Sequence, residues 1–478
     1  MLETTPLYHQ LADQIQDLIR VGTLRAGDRV PSVRRLSNQQ RVSVSTVLQA
    51  YRRLEDIGVI EARPQSGYYV RRRSAAVQEP EPSRPPKRAL NVEVDDLTDA
   101  VLSYASDPNV VSFGSACAAP ELFQLERVRR VLSSLARRDR GALGRYGLPP
   151  GTERLRRVVA RRALDWGCRI DYRDLVTTTG CMEAINLALR AVTRPGDLVA
   201  LESPTYYGFL QILQSLGLRA LEIPTHPRSG ISLEALELAL AEHPVKAVLV
   251  MPNVSNPIGA SMSDAAKKRL VELLAAKSVP LIEDHIYAEL QFGTASSHSP
   301  ARPAKAFDRS GNVMLCSSFS KTLCPGLKVG WIEPGRWRDR VRMLKFMSSG
   351  GQNELVELAV AELIESGGYE RSLRQLRRRF EAQVDAARGV IAESFPRGTR
   401  VTRPTGAYIV WVEMPKGCDS VALFERLLER GITIAPGPMF SASQRYRNCM
   451  RLSIGQAWAE KHEQALREVG RLAQHLFA

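Results

Sequence analysis

Residues 313–331 read VMLCSSFSKTLCPGLKVGW, and the fold turns on how this stretch is read. The apolar run through Leu315, followed by Ser317, Ser318 and Ser320, predicts a buried strand that delivers Lys321 at its exit. There the amine is partly desolvated, and desolvation lowers a lysine pKa. A neutral amine condenses with aldehydes. Most lysines that follow strands are solvated surface side chains, so the assignment depends on what surrounds this one.

Working outward, the chain from Asn91 alternates short apolar strands with helices. LVTTTG leads into a helix from Met182, DLVALESP into YYGFLQILQSLG, AVLVMP into AAKKRLVELLAAK, and VPLIED and VMLCSS follow. That alternation predicts a mostly parallel sheet covered on both faces. Ligands on such sheets sit at the carboxyl ends of the strands, where Gly180, Asn256, Asp284 and Lys321 fall. The turn TTTGCMEAI opens into a helix N-terminus at Gly180, Cys181 and Met182, which supplies convergent amides for a phosphate, and Ser318, Ser320 and Lys328 can complete the clamp. Asp284 can keep a pyridine nitrogen protonated, while Tyr287 and Asn256 can donate to a ring oxygen. Aldehyde-capturing lysine, ring carboxylate and phosphate cradle together describe a site for pyridoxal 5'-phosphate, with Lys321, Asp284 and Tyr287 as the catalytic candidates.

At the other end of the chain, LYHQLADQIQDLIRV over residues 7–21 places Leu7, Leu11, Ile15, Leu18 and Ile19 on one helical stripe. After a Gly22–Asp28 turn, Pro31 and Ser32 start a second helix, and Ser43 caps a third that stops at Gly58. VIEARPQSGYYV then reads as a two-stranded wing around a Pro64–Gly67 turn, ending in Arg71, Arg72 and Arg73. Arginines outnumber carboxylates over residues 1–73. A helix N-terminus with Ser43, Ser45 and Thr46 can approach bases and phosphates closely, and Arg34, Arg35, Arg52, Arg53 and the wing, with Ser66 and Gly67 at its tip, supply phosphate contacts. The segment PSVRRLSNQQRVSVSTVLQAYRRLEDIGVIEARPQSGYYV resembles the winged-helix DNA-binding domain of GntR-type bacterial regulators. It departs from that pattern at Val44 and Leu48, where such domains often carry arginine.

Residues 74–90, SAAVQEPEPSRPPKRAL, hold four prolines without apolar periodicity and predict an extended linker. At 478 residues two or more domains are expected. The formal charge of +15 points to a polyanionic partner. Seven scattered cysteines indicate neither a disulfide framework nor a zinc site, and no metal is expected. No apolar run is long enough to span a bilayer, and MLETTPLYHQ lacks the features of a signal peptide, so a cytoplasmic protein without membrane association is expected.

Residues 110–478 resemble the fold type I aminotransferases of the aspartate aminotransferase-like superfamily. The motifs are YGLPPGTERLRR, ESPTYYG, NPIG, IEDHIYAEL and FSKTLCPGLKVGW, with NCMRLSIG near the end. The resemblance implies that Tyr146 reaches the cofactor phosphate of a neighbouring subunit, that Tyr206 stacks on the cofactor, and that Arg451 binds a substrate α-carboxylate. Lys328 stands where the superfamily usually has arginine and Met182 where glutamine is common, leaving that position only its backbone amide. A GntR-type domain joined to such a domain is the arrangement of the MocR-type regulators. Three parts are expected: a winged helix over 1–73, a Pro-rich linker and connecting segment over 74–109, and an α/β aminotransferase-like domain over 110–478, whose smaller C-terminal part starts near 345. The implied protein is a homodimeric regulator that uses pyridoxal phosphate to sense an amino compound, or the cofactor itself, and binds double-stranded DNA at two half-sites. The alternative is a working aminotransferase with an appended DNA-binding domain.

Overall fold

Helix α1 (Leu7–Arg20) opens the computed structural model, which describes residues 7–25, 27–56, 59–63, 66–70, 77–92, 97–105, 107–293 and 301–477. Gly58, Pro64, Gln65, Arg71, Arg72 and Arg73, which the sequence reading assigned roles, lie outside the described residues. The chain divides into two units, Met1–Ala76 and Val77–Ala478. In the smaller one, α1 buries Leu11, Ala12 and Ile15 but leaves Leu7 and Leu18 exposed, so its apolar contact is narrower than the stripe expected from spacing. Helix α2 (Val33–Gln40) is capped by Ser32, whose Oγ accepts from the Arg35 amide, and ends where Arg41 turns left-handed at φ +53°. Helix α3 (Val44–Asp56) buries Val47, Ala50, Tyr51 and Leu54 at helical spacing. Strands β1 (Ile60–Arg63) and β2 (Gly67–Val70) pair antiparallel and close this core through Ile60 and Val70.

The larger unit is built on a mixed sheet. Its strands are β3 (Leu90–Asn91), β4 (Val176–Thr178), β5 (Leu198–Ser203), β6 (Arg219–His226), β7 (Gly230–Ile231), β8 (Val245–Val250), β9 (Leu281–Asp284), β10 (Val313–Ser318) and β11 (Gly330–Glu333). They run in the order β3-β6-β5-β8-β9-β10-β11-β4, with β7 on β6. From β6 to β10 the neighbours are parallel, whereas β11 is antiparallel to both β10 and β4. Alternate strand residues feed cores on opposite faces: Leu249 and Ile282 face one, Val248 and Leu281 the other. A fully buried sheet leaves only its strand ends for polar chemistry.

A second, four-stranded antiparallel sheet carries the C-terminal part: β12 (Arg400–Val401), β13 (Ile409–Glu413), β14 (Ala435–Pro436) and β15 (Cys449–Ser453), in the order β12-β13-β15-β14. Its core includes Val101 and Phe113, with Leu97, Ala100 and Val111 packed against it, so these residues join the C-terminal part although they come early in sequence. The segment expected to be an extended linker is fastened to the larger unit from Val77 onward. The Ser83 amide donates to the Thr225 carbonyl at 3.0 Å, Val401 N donates to Gln78 O at 2.9 Å, Glu79 pairs with Arg228, and β3 joins the edge of β6. Prolines remove donors but leave carbonyls and flanking amides free to bond, which composition alone does not reveal. Among the described residues no helix is long and apolar enough to cross a membrane.

Candidate functional site

Lys321 lies in the loop between β10 and β11, two residues after Phe319, which is buried in the core of the larger unit. Its Nζ donates to the Ala116 carbonyl at 2.7 Å. Burial pushes its pKa down against the pull of Cys117, and repulsion from Arg451 and Lys328 adds to the effect. Tyr408 Oη donates to the same Ala116 carbonyl at 3.0 Å, and the Tyr287 ring centre lies 5.9 Å from Nζ. Tyr287 is buried, and burial pushes its phenol up.

Asp284 ends β9 opposite Cys316 of β10. Its Oδ1 accepts from the Ile286 amide at 2.9 Å and from Cys181 Sγ at 3.3 Å. Burial pushes its carboxyl up to about 6. Among the described residues no arginine or lysine forms an ion pair with it, so an ionised Asp284 lacks the cation that usually accompanies a buried carboxylate. Cys181 opens the helix Cys181–Val192 directly after Gly180, whose φ of +93° suits glycine. A Cβ on Gly180 would meet nothing within 4 Å, so the cradle is open, whereas a Cβ on Gly330 would sit 2.6 Å from the Gly180 carbonyl carbon. Glycine at 330 is therefore what lets β11 lie against the turn. The Ser320 amide donates to Ser318 Oγ at 3.4 Å; Lys328, exposed with φ +50°, lies on the same loop.

Arg451, on β15, is fully buried. Nη1 donates to Asn256 Oδ1 at 3.4 Å and Nη2 to the Gly114 carbonyl, while Nε has no partner. The guanidinium carbon lies 5.2 Å from the Phe440 ring centre and 5.9 Å from that of Tyr207. No carboxylate pairs with it among the described residues, which removes the structural salt bridge as the reason for its burial. Tyr206 joins an aromatic cluster with Tyr207 at 4.7 Å and Phe209 at 5.5 Å, close to the Met182 methyl. Tyr146 is 79 % exposed and lines a surface hollow together with exposed Leu143. Coulombic interactions therefore link Lys321, Asp284 and Arg451, whereas Tyr146 stands on the surface.

Several neighbours were not legible in the sequence. Desolvation alone would raise the Cys117 thiol, but Lys321, Arg451 and Lys328 hold it below its usual range. Glu202 is buried, and burial followed by the nearby Asp284 charge pushes its carboxyl up to about 8. Tyr369 Oη bridges Glu289 Oε2 at 2.9 Å and Thr322 Oγ1 at 2.8 Å, and Glu289 pairs with buried Arg162. This polar network buttresses the loop beside Lys321 from a helix 48 positions further along the chain, a separation no local pattern reports.

In the smaller unit Arg34, Arg35, Arg52 and Arg53 are exposed and, among the described residues, free of ion pairs. Ser43, Ser45 and Thr46 cluster at the start of α3, with 2.7 Å between Ser43 Oγ and each of the other hydroxyls. Ser66 Oγ and Tyr69 Oη lie 2.6 Å apart, and the Arg29 guanidinium passes within 3.3 Å of where a Gly67 Cβ would stand.

Residues 116–468 match the family model for aminotransferase class I and II, and residues 7–70 that for bacterial regulatory proteins of the gntR family. The HTH-type transcriptional regulator YjiR of Escherichia coli (strain K12) is 37 % identical over 97 % of this chain and 98 % of its own length. A 2-aminoadipate transaminase of Thermus thermophilus is 30 % identical over 79 % of the chain and 94 % of its own. Among solved structures, the α-aminoadipate aminotransferase LysN of Thermus thermophilus superposes with a TM-score of 0.73 at 27 % identity, over 81 % of this chain and 96 % of that one. The chain belongs to the aminotransferase class I and II family and, with a gntR-family region in front, to the MocR-type regulators. Its cofactor is pyridoxal phosphate.

Proposed function

We propose that this protein is a homodimeric transcription regulator in which a pyridoxal phosphate site reads an amino compound and the winged helix binds DNA in the cytoplasm. The observation that carries the sensing half is Arg451, a fully buried guanidinium with an unpartnered Nε and, among the described residues, no carboxylate of its own. A buried charge without a partner is costly, and an amino acid carboxylate is the group that would relieve it.

The residues fit the cofactor. Asp284 is a buried carboxylate without an ion-paired lysine or arginine among the described residues, Gly180 opens an uncovered helix N-terminus, and Lys321 presents an amine whose pKa burial lowers. When bound, pyridoxal phosphate supplies an aldehyde carbon for an amine and a protonated ring that draws electrons. Lys321 is the amine that holds it, and burial, by lowering its pKa, favours the neutral form that condenses with an aldehyde. Asp284 keeps the proton on the ring nitrogen; Asn256 and Tyr287 donate to the ring oxygen. The amides of Gly180, Cys181 and Met182, with Ser318, Ser320 and Lys328, hold the phosphate, and Tyr206 covers the ring. The exposure of Tyr146 supports the dimer, in which Tyr146 completes the partner's phosphate site. Arg34, Ser43, Ser45, Thr46, Arg52, Arg53, Ser66 and Gly67 form the DNA-facing surface over residues 1–73.

Effector binding alters DNA affinity only by its differential affinity for two states of the protein, a coupling of ~1–3 kcal/mol in typical cases. The test is promoter binding titrated with a panel of amino acids, for wild type and Arg451→Ala, each loaded with cofactor. A response present in wild type and absent in the variant is expected; an intact response in the variant refutes the carboxylate reading. Multiple turnover with any of these amino acids, without an effect on DNA, would favour the aminotransferase reading instead.

A further inference from the structure

Residues 43–50 read SVSTVLQA, and the structure sorts their side chains by what remains free to meet a DNA groove. Val47 and Ala50 are buried in the winged-helix core, and Leu48 is half-buried. The hydroxyls are engaged with one another: Ser43 Oγ accepts from the Thr46 amide at 3.1 Å and lies 2.7 Å from both Ser45 Oγ and Thr46 Oγ1. Two exposed side chains stand outside this hydroxyl cluster. Val44 is 46 % exposed, although it is apolar. Gln49 is exposed, and among the described residues its amide has no hydrogen-bond partner. Neither lysine nor arginine occurs in 43–50; the exposed arginines, Arg34, Arg35, Arg52 and Arg53, lie before and after it.

The chemistry of base edges turns that inventory into a preference. In the major groove guanine offers two acceptors, best matched by an arginine or lysine donor. Adenine offers an acceptor at N7 and a donor at N6, matched by a glutamine amide, and thymine offers a methyl group, matched by an apolar side chain. The N-terminal residues of a recognition helix are those that reach base edges. We propose that the base pairs beneath the N-terminal half of α3 are A·T, with Gln49 pairing its amide to adenine and Val44 lying against a thymine methyl. The two residues are separated by ~7.5 Å along the helix axis, so they address nearby steps of one half-site rather than a single pair. The flanking arginines hold phosphates, which fixes register without reading sequence.

This inference rests on the DNA-binding reading above and adds to it the base composition of the site. The experiment is selection from a random duplex library by the full-length protein at one fixed salt concentration, followed by competition binding that scores each position. Wild type is expected to select A·T at positions that respond to α3. Gln49→Ala should reduce discrimination at one of these by about 5- to 150-fold and leave the others unchanged, and Val44→Ala should weaken a thymine preference at a second. Gln49→Arg, on an exposed position that tolerates the change, should convert its A·T pair to G·C. A G·C pair at the position that responds to Gln49 in the wild-type selection would overturn the inference. So would unchanged preferences in both alanine variants while binding persists. A wild-type protein that retains no duplex at all would refute the DNA-binding reading itself, a failure distinct from these two.

Discussion

Replacing Asp284 by asparagine should make the cofactor-free protein more stable and the cofactor-loaded protein less so. Asp284 is buried, and its carboxyl rises from 3.8 to about 6. Because the folded value lies above the unfolded one, the folded protein binds the proton more tightly. The stability linked to this group is therefore present below about pH 4 and lost as pH rises through about 6. A shift of ~2 pKa units corresponds to roughly 3 kcal/mol at neutral pH and above. Asparagine removes the charge while its Oδ1 still accepts from the Ile286 amide and Cys181, so little packing is lost. With cofactor bound, a protonated ring nitrogen supplies the missing cation, and the aspartate becomes the better residue. All five tryptophans, Trp166, Trp331, Trp337, Trp411 and Trp458, lie in the larger unit, so urea unfolding followed by tryptophan fluorescence reports on that unit alone. Cofactor-free Asp284→Asn should exceed wild type by up to ~3 kcal/mol at pH 8 and match it near pH 4, with the order reversed at pH 8 once cofactor is added. A cofactor-free variant no more stable than wild type at pH 8 would refute the burial argument. Failure of cofactor to reverse the order would refute the placing of Asp284 against the ring.

Lys321→Ala should abolish both the visible absorption band of the loaded protein and borohydride-stable labelling of the 313–331 peptide, measured by spectroscopy and mass spectrometry. Tyr369→Phe deletes a hydroxyl shared by Glu289 and Thr322 and should cost ~1–3 kcal/mol in unfolding; because Thr322 adjoins Lys321, the pH midpoint of the visible band should move as well. Arg52→Ala with Arg53→Ala should flatten the dependence of log affinity on log salt by about 0.9 for each phosphate that the variant no longer neutralises, measured on a bound duplex without change in base preference.

The sequence by itself determined the elements and their chemistry. Lys321, Asp284, Asn256 and Gly180 each follow an apolar run that could only be a buried strand, and strand ends are where a covered sheet exposes polar groups. The winged helix was equally legible, since its spacing and turn residues are local. Other features were decided only in three dimensions. Residues 77–92 lie along the larger unit and Val101 and Phe113 enter the C-terminal core, because backbone carbonyls and a few apolar side chains find partners hundreds of positions away. The antiparallel insertion of β11 is one such feature; a period-2 pattern carries no strand direction. Tyr408, Cys117, Glu202 and the Tyr369–Glu289–Arg162 network reach the site through tertiary packing, and no spacing in the chain announces them. The state of Arg451 belongs to the same group. A lone arginine in a strand can be a salt bridge or a ligand clamp, and its lack of a carboxylate partner among the described residues is a property of its surroundings, which exist only once the chain has folded around it.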